Sequence, residues 1–252
     1  MSLTFFRNSI EHAAYTRLLK PYFFRRDPEL VHNRMLQLGE RLGKGVVGRA
    51  VTAGMFRYSH PSLEQTVRGI RFANPIGLAA GFDKNARLLD ILPMVGFGFV
   101  EVGSITARPY AGNPAPRLYR LPVSRSLVVN YGLMNDGSEM IARRLAGRQY
   151  SVPVGISLAP TNDDGTAEFR AAIDDYLVSY QRFAKIGDYT TLNLSCPNTC
   201  HDQPFTAADR LDELLTELDK IDCSKPIFLK ISPDLPMERV RQLIKTARNR
   251  KV

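Results

Sequence analysis

An α/β fold built on a parallel sheet, with a small helical segment ahead of it, is what the sequence predicts, and three observations carry that reading. From Asn74 onward, short continuous apolar runs alternate with helical patterns. Strands buried on both faces read as unbroken apolar runs, and strands separated by helices pair in parallel. The first sixty residues read instead as helix. Lastly, polar residues that can do chemistry follow the apolar runs, as in Asn193-Leu194-Ser195-Cys196-Pro197-Asn198. Parallel α/β proteins gather their ligand-binding groups at strand C-terminal ends.

The elements follow in order. Ile10 to Leu19 reads as a short helix that Pro21 stops, because proline lacks the N–H a helix interior needs. Asp27-Pro28 is a helix start, a capping carboxylate followed by proline at the first helical position. Val31, Met35, Leu38 and Leu42 then form one apolar stripe that Gly43 and Gly45 end. Tyr22-Phe23-Phe24 and Arg25-Arg26 join the two helices, which either dock on a membrane surface or pack on the main domain. Strands are predicted at Pro75–Ala80, Phe97–Val102, Val152–Leu158, Tyr189–Leu194 and Pro226–Ile231. Helices are predicted through Leu88–Leu92, Phe169–Phe183, Leu211–Leu218 and Met237–Ala247. These are about five strand–helix units of an incomplete (β/α)8, or TIM-type, barrel: residues 1–60 form the helical segment and 61–252 the N-terminal part of the barrel. A closed barrel takes about 250 residues, whereas about 180 follow Asn74. An open sheet of five strands is expected to expose two edges and an apolar inner face.

Composition narrows the class. No apolar run approaches the roughly 18 residues of a membrane-spanning helix. Arg7 and Glu11 interrupt any secretory signal. Three cysteines, Cys196, Cys200 and Cys223, make no disulfide framework and point to a reducing, cytoplasmic compartment. The net charge is +9, and residues 1–70 carry eleven Lys/Arg against five Asp/Glu. Such a basic segment suits an anionic membrane or nucleic acid. With no nucleic-acid-binding motif, a peripheral membrane contact is expected and no nucleic acid.

Four strand ends carry the candidate chemistry. Ala80, Gly81 and Lys84 follow the first strand, small residues beside a cation. Glu101 to Thr106 follow the second, where the hydroxyls of Ser104 and Thr106 either bond a cofactor or cap a turn. Asn193, Cys196 and Asn198 end the fourth: amides that can donate and accept, and a thiol that is a nucleophile, a base or simply buried. Lys230 lies inside the fifth run and is expected to be buried and paired, with a ligand or an internal carboxylate. Two lysines beside a planar cofactor stabilise its reduced, anionic form. A metal site at Cys196, Cys200 and His201 lacks a convincing fourth ligand, so no metal is expected.

Longer motifs sharpen this. Asn74 to Lys84, Gly96 to Thr106, Gly112-Asn113-Pro114-Ala115-Pro116-Arg117-Leu118-Tyr119-Arg120-Leu121, Asn193 to Thr199 and Lys230 to Leu235 together resemble dihydroorotate dehydrogenases. Asp27-Pro28-Glu29 and His32 are similar to the quinone-dependent, membrane-associated class. The resemblance implies FMN-dependent oxidation of dihydroorotate to orotate in pyrimidine biosynthesis, with electrons passed to quinone at the cytoplasmic face of the cell membrane. It implies Cys196 as the base for the C5 proton, and Lys84 as a contact of both flavin and substrate. Ala80, Gly81, Lys84, Ser104, Ser157, Asn193 and Lys230 would line FMN. Asn130, Tyr131, Gly132, Leu133, Asn193 and Asn198 would join Lys84 around the substrate.

The pattern departs in places. Cys196 stands where the quinone-dependent class has serine, Val129 where a substrate-binding asparagine is usual, and Ser157 where an asparagine faces the flavin. Ala159-Pro160-Thr161-Asn162 replaces a glycine-lysine-asparagine run. The family's phosphate-binding loops and a later Asn-Thr substrate contact find no counterpart before Val252, so FMN is expected to bind weakly or not at all. The contrasting expectation is a truncated barrel remnant that binds a partner chain without catalysis.

Overall fold

The computed structural model describes residues 3–199, 203–248, 250 and 252. Helix α1 (Leu3–Ala14) leads through a widened π turn (Tyr15–Leu19) into α2 (Lys20–Phe24). Pro21 therefore does not stop the helix, contrary to expectation. The Lys20 N–H bonds back five residues to the Tyr15 carbonyl, and this wider turn makes room for the proline ring where an α turn would clash. Helix α3 (Pro28–Lys44) starts as its sequence requires: the Asp27 carboxylate accepts from the Leu30 N–H at 2.8 Å. Gly43 lies buried inside α3, against Asp90 and Ile91, and only Gly45 ends it. Helix α4 (Val46–Phe56) follows directly.

A short antiparallel hairpin, β1 (Gln65–Val67) with β2 (Ile70–Phe72), precedes the main sheet. That sheet is wholly parallel, in the order β3 (Gly77–Leu78), β4 (Phe99–Ile105), β7 (Val154–Leu158), β8 (Tyr189–Asn193) and β9 (Ile227–Lys230). It is a partial barrel wall of five strands, with all C-terminal ends on one side. Between β3 and β4 the helical turn is α5 (Leu92–Val95), later than expected because Pro93 opens it. Between β4 and β7 come an exposed antiparallel ribbon, β5 (Leu118–Leu121) with β6 (Ser126–Val129), and helix α6 (Ser138–Leu145). Helices α7 (Phe169–Phe183), α8 (Ala208–Leu218) and α9 (Met237–Ala247) cover the outer face.

The central strands β7 and β8 are buried at every position. Their outward apolar residues meet Ile173, Tyr176, Tyr180 and Phe183 of α7, recurring at helical spacing, and Leu211, Leu214, Leu215 and Leu218 of α8. The inner face carries aromatics in edge contact: Phe72 with Phe99 at 5.3 Å and Tyr189 with Phe228 at 5.1 Å between centroids. Phe72 comes from the hairpin, which plugs the end opposite the candidate site. Strands β3 and β9 are the sheet's edges among the described residues. Lys230 consequently is not buried as expected: it lies exposed on the edge strand, with no neighbouring strand to cover it.

Candidate active site

A cavity of about 210 Å³ opens at the C-terminal ends of the strands. Its first wall is the turn after β3. The Gly81 N–H bonds the Gly103 carbonyl at 2.7 Å, and the Gly103 N–H returns to the Asp83 carbonyl at 3.2 Å. Gly103 has a φ of +110°, and a Cβ there would stand 2.5 Å from the Ser157 carbonyl oxygen, so only glycine fits. Asp83 is buried and accepts from the Arg87 and Leu88 N–H groups at 2.9 and 2.8 Å. Burial pushes its carboxyl up, against the pull of those backbone donors.

This turn delivers Lys84 into the pocket. Lys84 is 9 % exposed, and its Nζ lies 4.1 Å from the centre of the Tyr131 ring. Burial lowers its pKa to about 8, opposed by the Glu29 carboxylate and reinforced by the Arg117 cation. Arg117 also approaches this ring, 5.2 Å from the centroid, and is paired with Glu29 of α3 at 2.8 Å. Tyr131 thus has two cations close to its ring, a favourable placement over an aromatic face. Its hydroxyl is buried with no partner among the described residues, and burial pushes its pKa up to about 12. His32 of α3 stacks edge-on with Phe82 at 4.9 Å; burial first, then Lys84, lowers its pKa to about 4.

The opposite wall comes from β8. Asn193 sits in register with Lys230 of β9. Its Nδ2 donates to Ser104 Oγ at 2.9 Å, and Ser104 Oγ meets Ser157 Oγ at 2.8 Å. The Tyr176 hydroxyl, from α7, donates to the Asn193 carbonyl at 2.9 Å. Asn193 Oδ1 is buried and has no donor among the described residues. Such an acceptor costs roughly 1–3 kcal/mol while it stays unpaired, and it marks where a ligand N–H belongs. Cys196 is half-buried two residues past the buried Leu194. Burial raises its thiol pKa, while the Asn198 N–H and the Lys230 charge pull it down. Behind it lies a second cavity of about 390 Å³, sharing Leu133, Asn193 and Cys196 with the first and backed by Asn162, Phe169 and Phe205.

A family model described as dihydroorotate dehydrogenase matches residues 62–251. The chain belongs to the dihydroorotate dehydrogenase family. It is 41 % identical over 233 residues to the dihydroorotate dehydrogenase (quinone) of Gloeobacter violaceus, covering 90 % of this chain and 64 % of that protein. Against the dihydroorotate dehydrogenase (quinone) of Natronomonas pharaonis the identity is 40 %, with 87 % and 61 % covered. The crystal structure of Eimeria tenella DHODH in complex with ferulenol superposes with a TM-score of 0.72 at 28 % identity, covering 88 % of this chain and 64 % of that one. The chain therefore spans a little under two thirds of the length of these relatives.

Most of the residues that the dihydroorotate dehydrogenase motifs single out converge. Ala80, Gly81, Lys84, Ser104, Tyr131, Gly132, Leu133, Asn193, Cys196, Asn198 and Lys230 all line the smaller cavity. Two do not. Asn130 turns its side chain to Asn113, whose Nδ2 donates to Asn130 Oδ1 at 2.9 Å. Ser157 is fully buried behind Ser104 and is not among the lining residues. Val129 and Met134 line the pocket as apolar surface. Cys200 and His201 lie outside the described residues. Sequence reasoning gave no role to the Glu29–Arg117 pair, although Arg117 stands within a quoted motif and Glu29 lies three residues before His32, on the same face of α3.

Proposed function

We propose that this chain carries the site for FMN-dependent oxidation of dihydroorotate to orotate in pyrimidine synthesis, with quinone as the final acceptor. The observation that carries the reading is the buried Asn193 Oδ1, without a donor among the described residues, in the same pocket as Lys84 and Cys196. A planar amide ring with a carboxylate fits that set: Asn193 and Asn198 meet its amide edges, and Lys84 meets its negative charge.

Oxidation removes a proton from C5 and a hydride from C6 of the dihydro ring. In this reading Cys196 takes the proton. Burial keeps it a thiol at neutral pH, so its basic form grows with pH and is favoured by Lys230. The residues present fit the ring end of FMN: Ala80 and Gly81 allow close approach, Asn193 offers an acceptor, and Lys84 and Lys230 offer positive charge. When bound, the flavin supplies the two-electron acceptor. The turnover rate is expected to rise with pH and to keep climbing beyond the ordinary thiol range, and Cys196→Ala is expected to abolish it.

Residues 1–60 form the quinone- and membrane-associating segment in this reading, and residues 61–252 the barrel part. Phe5, Phe6, Ile10, Leu18, Leu19 and Tyr22 are exposed on α1 to α2, and Val46, Val47 and Val51 on α4. Apolar surface beside basic residues suits the anionic cytoplasmic face of a membrane. Among the described residues no helix is long and apolar enough to cross one. The test is direct: purify the protein, titrate FMN, and follow dihydroorotate-dependent reduction of a soluble quinone. Colourless protein that takes up no FMN and reduces no quinone rejects the proposal.

A further inference from the structure

The side-chain amide of Asn113 ties several loops together. Its Nδ2 donates to Asn130 Oδ1 at 2.9 Å and to the Asn198 carbonyl at 3.0 Å. Its Oδ1 accepts from the Tyr110 hydroxyl at 3.0 Å and from Asn162 Nδ2 at 3.2 Å. All four hydrogen bonds of a primary amide are made, which fixes which end is nitrogen. Its backbone is pinned as well. The Asn113 N–H bonds the Tyr131 carbonyl at 3.1 Å, and its carbonyl accepts from Arg117 Nη1 at 2.9 Å. The amide therefore joins the end of β6, the loop after β7 and the loop after β8, the last of which bears Cys196 and Asn198. The space is closed: a Cβ on Gly132 would stand 2.2 Å from Asn113 Oδ1.

We infer that Asn113 is a positioning residue: through its bond to the Asn198 carbonyl it sets where the Cys196–Asn198 loop stands over the pocket. The inference rests on the function proposed above for what the loop then does to substrate, but not for the positioning itself. Asn113 does not line the cavity, so it acts through Asn198 and not on a ligand. The isosteric change Asn113→Asp keeps both acceptor contacts and removes both donors. It also turns a negative oxygen toward the Asn130 and Asn198 oxygens. The loop is expected to be released while the fold stays.

The experiment measures alkylation of Cys196 by iodoacetamide, mapped by mass spectrometry on the full-length chain, beside the thermal midpoint and orotate affinity. In folded Asn113→Asp, Cys196 is expected to react about tenfold faster. Where orotate binds the parent protein, it is expected to bind the variant at least tenfold more weakly, with the thermal midpoint nearly unchanged. Tyr110→Phe removes one of the bonds that orient the amide, leaves its donors in place and is expected to raise reactivity two- to threefold. It keeps the test open if the first variant does not fold. Unchanged Cys196 reactivity in the folded variants overturns the inference. Faster alkylation in a protein that binds no orotate in either form upholds the positioning role and removes the catalytic reading instead.

Discussion

Lys84 is the residue whose surroundings most constrain the site. It is an ammonium buried beside an aromatic ring, with its pKa held to about 8. An unfolded lysine keeps its proton to 10.5, so between these values the unfolded chain binds more protons and folding gains stability as pH rises. The penalty is fully present below pH 8 and is relieved towards pH 10.5, to the extent of about 3 kcal/mol. Urea unfolding across this range is expected to show that slope in the parent protein and its loss in Lys84→Met. A second test at this scale is Val129→Asn. Valine at the pocket wall makes no hydrogen bond, and one restored bond contributes about 1 kcal/mol. The variant is expected to bind orotate roughly fivefold more tightly by calorimetry; an unchanged affinity removes Val129 from the substrate wall. Most pocket residues were legible because each lies within a few positions of a strand end. Asn113 and Glu29 were not legible as site residues, since their roles depend on loops 17 to 88 residues away.

At the scale of elements, α7 holds β8 in place by more than apolar packing. Tyr176 reaches through the core to bond the Asn193 carbonyl. Tyr176→Phe leaves that buried acceptor without its donor and is expected to cost about 1–3 kcal/mol. A chemical-denaturation midpoint that fails to fall would show that the bond contributes nothing. Helix α7 was legible from end to end because its apolar spacing matches its buried face. The ribbon of β5 and β6 was not, because its strands have four residues each and β6 is exposed at every position. Without a buried face, alternation leaves no mark on the sequence. Pro21 misled for the opposite reason: a strong local stop signal was absorbed by a single wide turn.

Across the whole molecule, the sheet is the dominant fact. Five parallel strands bury one face under α7, α8 and α9, while the other carries a half-filled aromatic layer bordered by Glu101, Thr191 and Lys230. The sequence-based expectation of two open edges matches this arrangement, whereas the expected apolar inner face is mixed, with Glu101 and Thr191 hydrogen-bonded beside the aromatics. Among the described residues strand β9 has a partner on one side only, and such an edge beside Phe228 invites pairing with another chain. Sedimentation is expected to show association that grows with concentration and weakens in Phe228→Lys. A monomer at all concentrations would mean that the edge is protected.

The pair of cations, Lys84 and Arg117, close to the Tyr131 ring has an optical consequence. The chain has ten tyrosines and no tryptophan, so its near-ultraviolet absorption is a tyrosine spectrum without a dominating background. Among the described residues, Tyr22 and Tyr150 each have one cation over the ring, whereas Tyr131 has two. An anion that draws Lys84 away from the ring changes the local field on Tyr131 alone. The protein thus contains its own reporter: a tyrosine difference band that follows occupancy of the Lys84 pocket without any added dye.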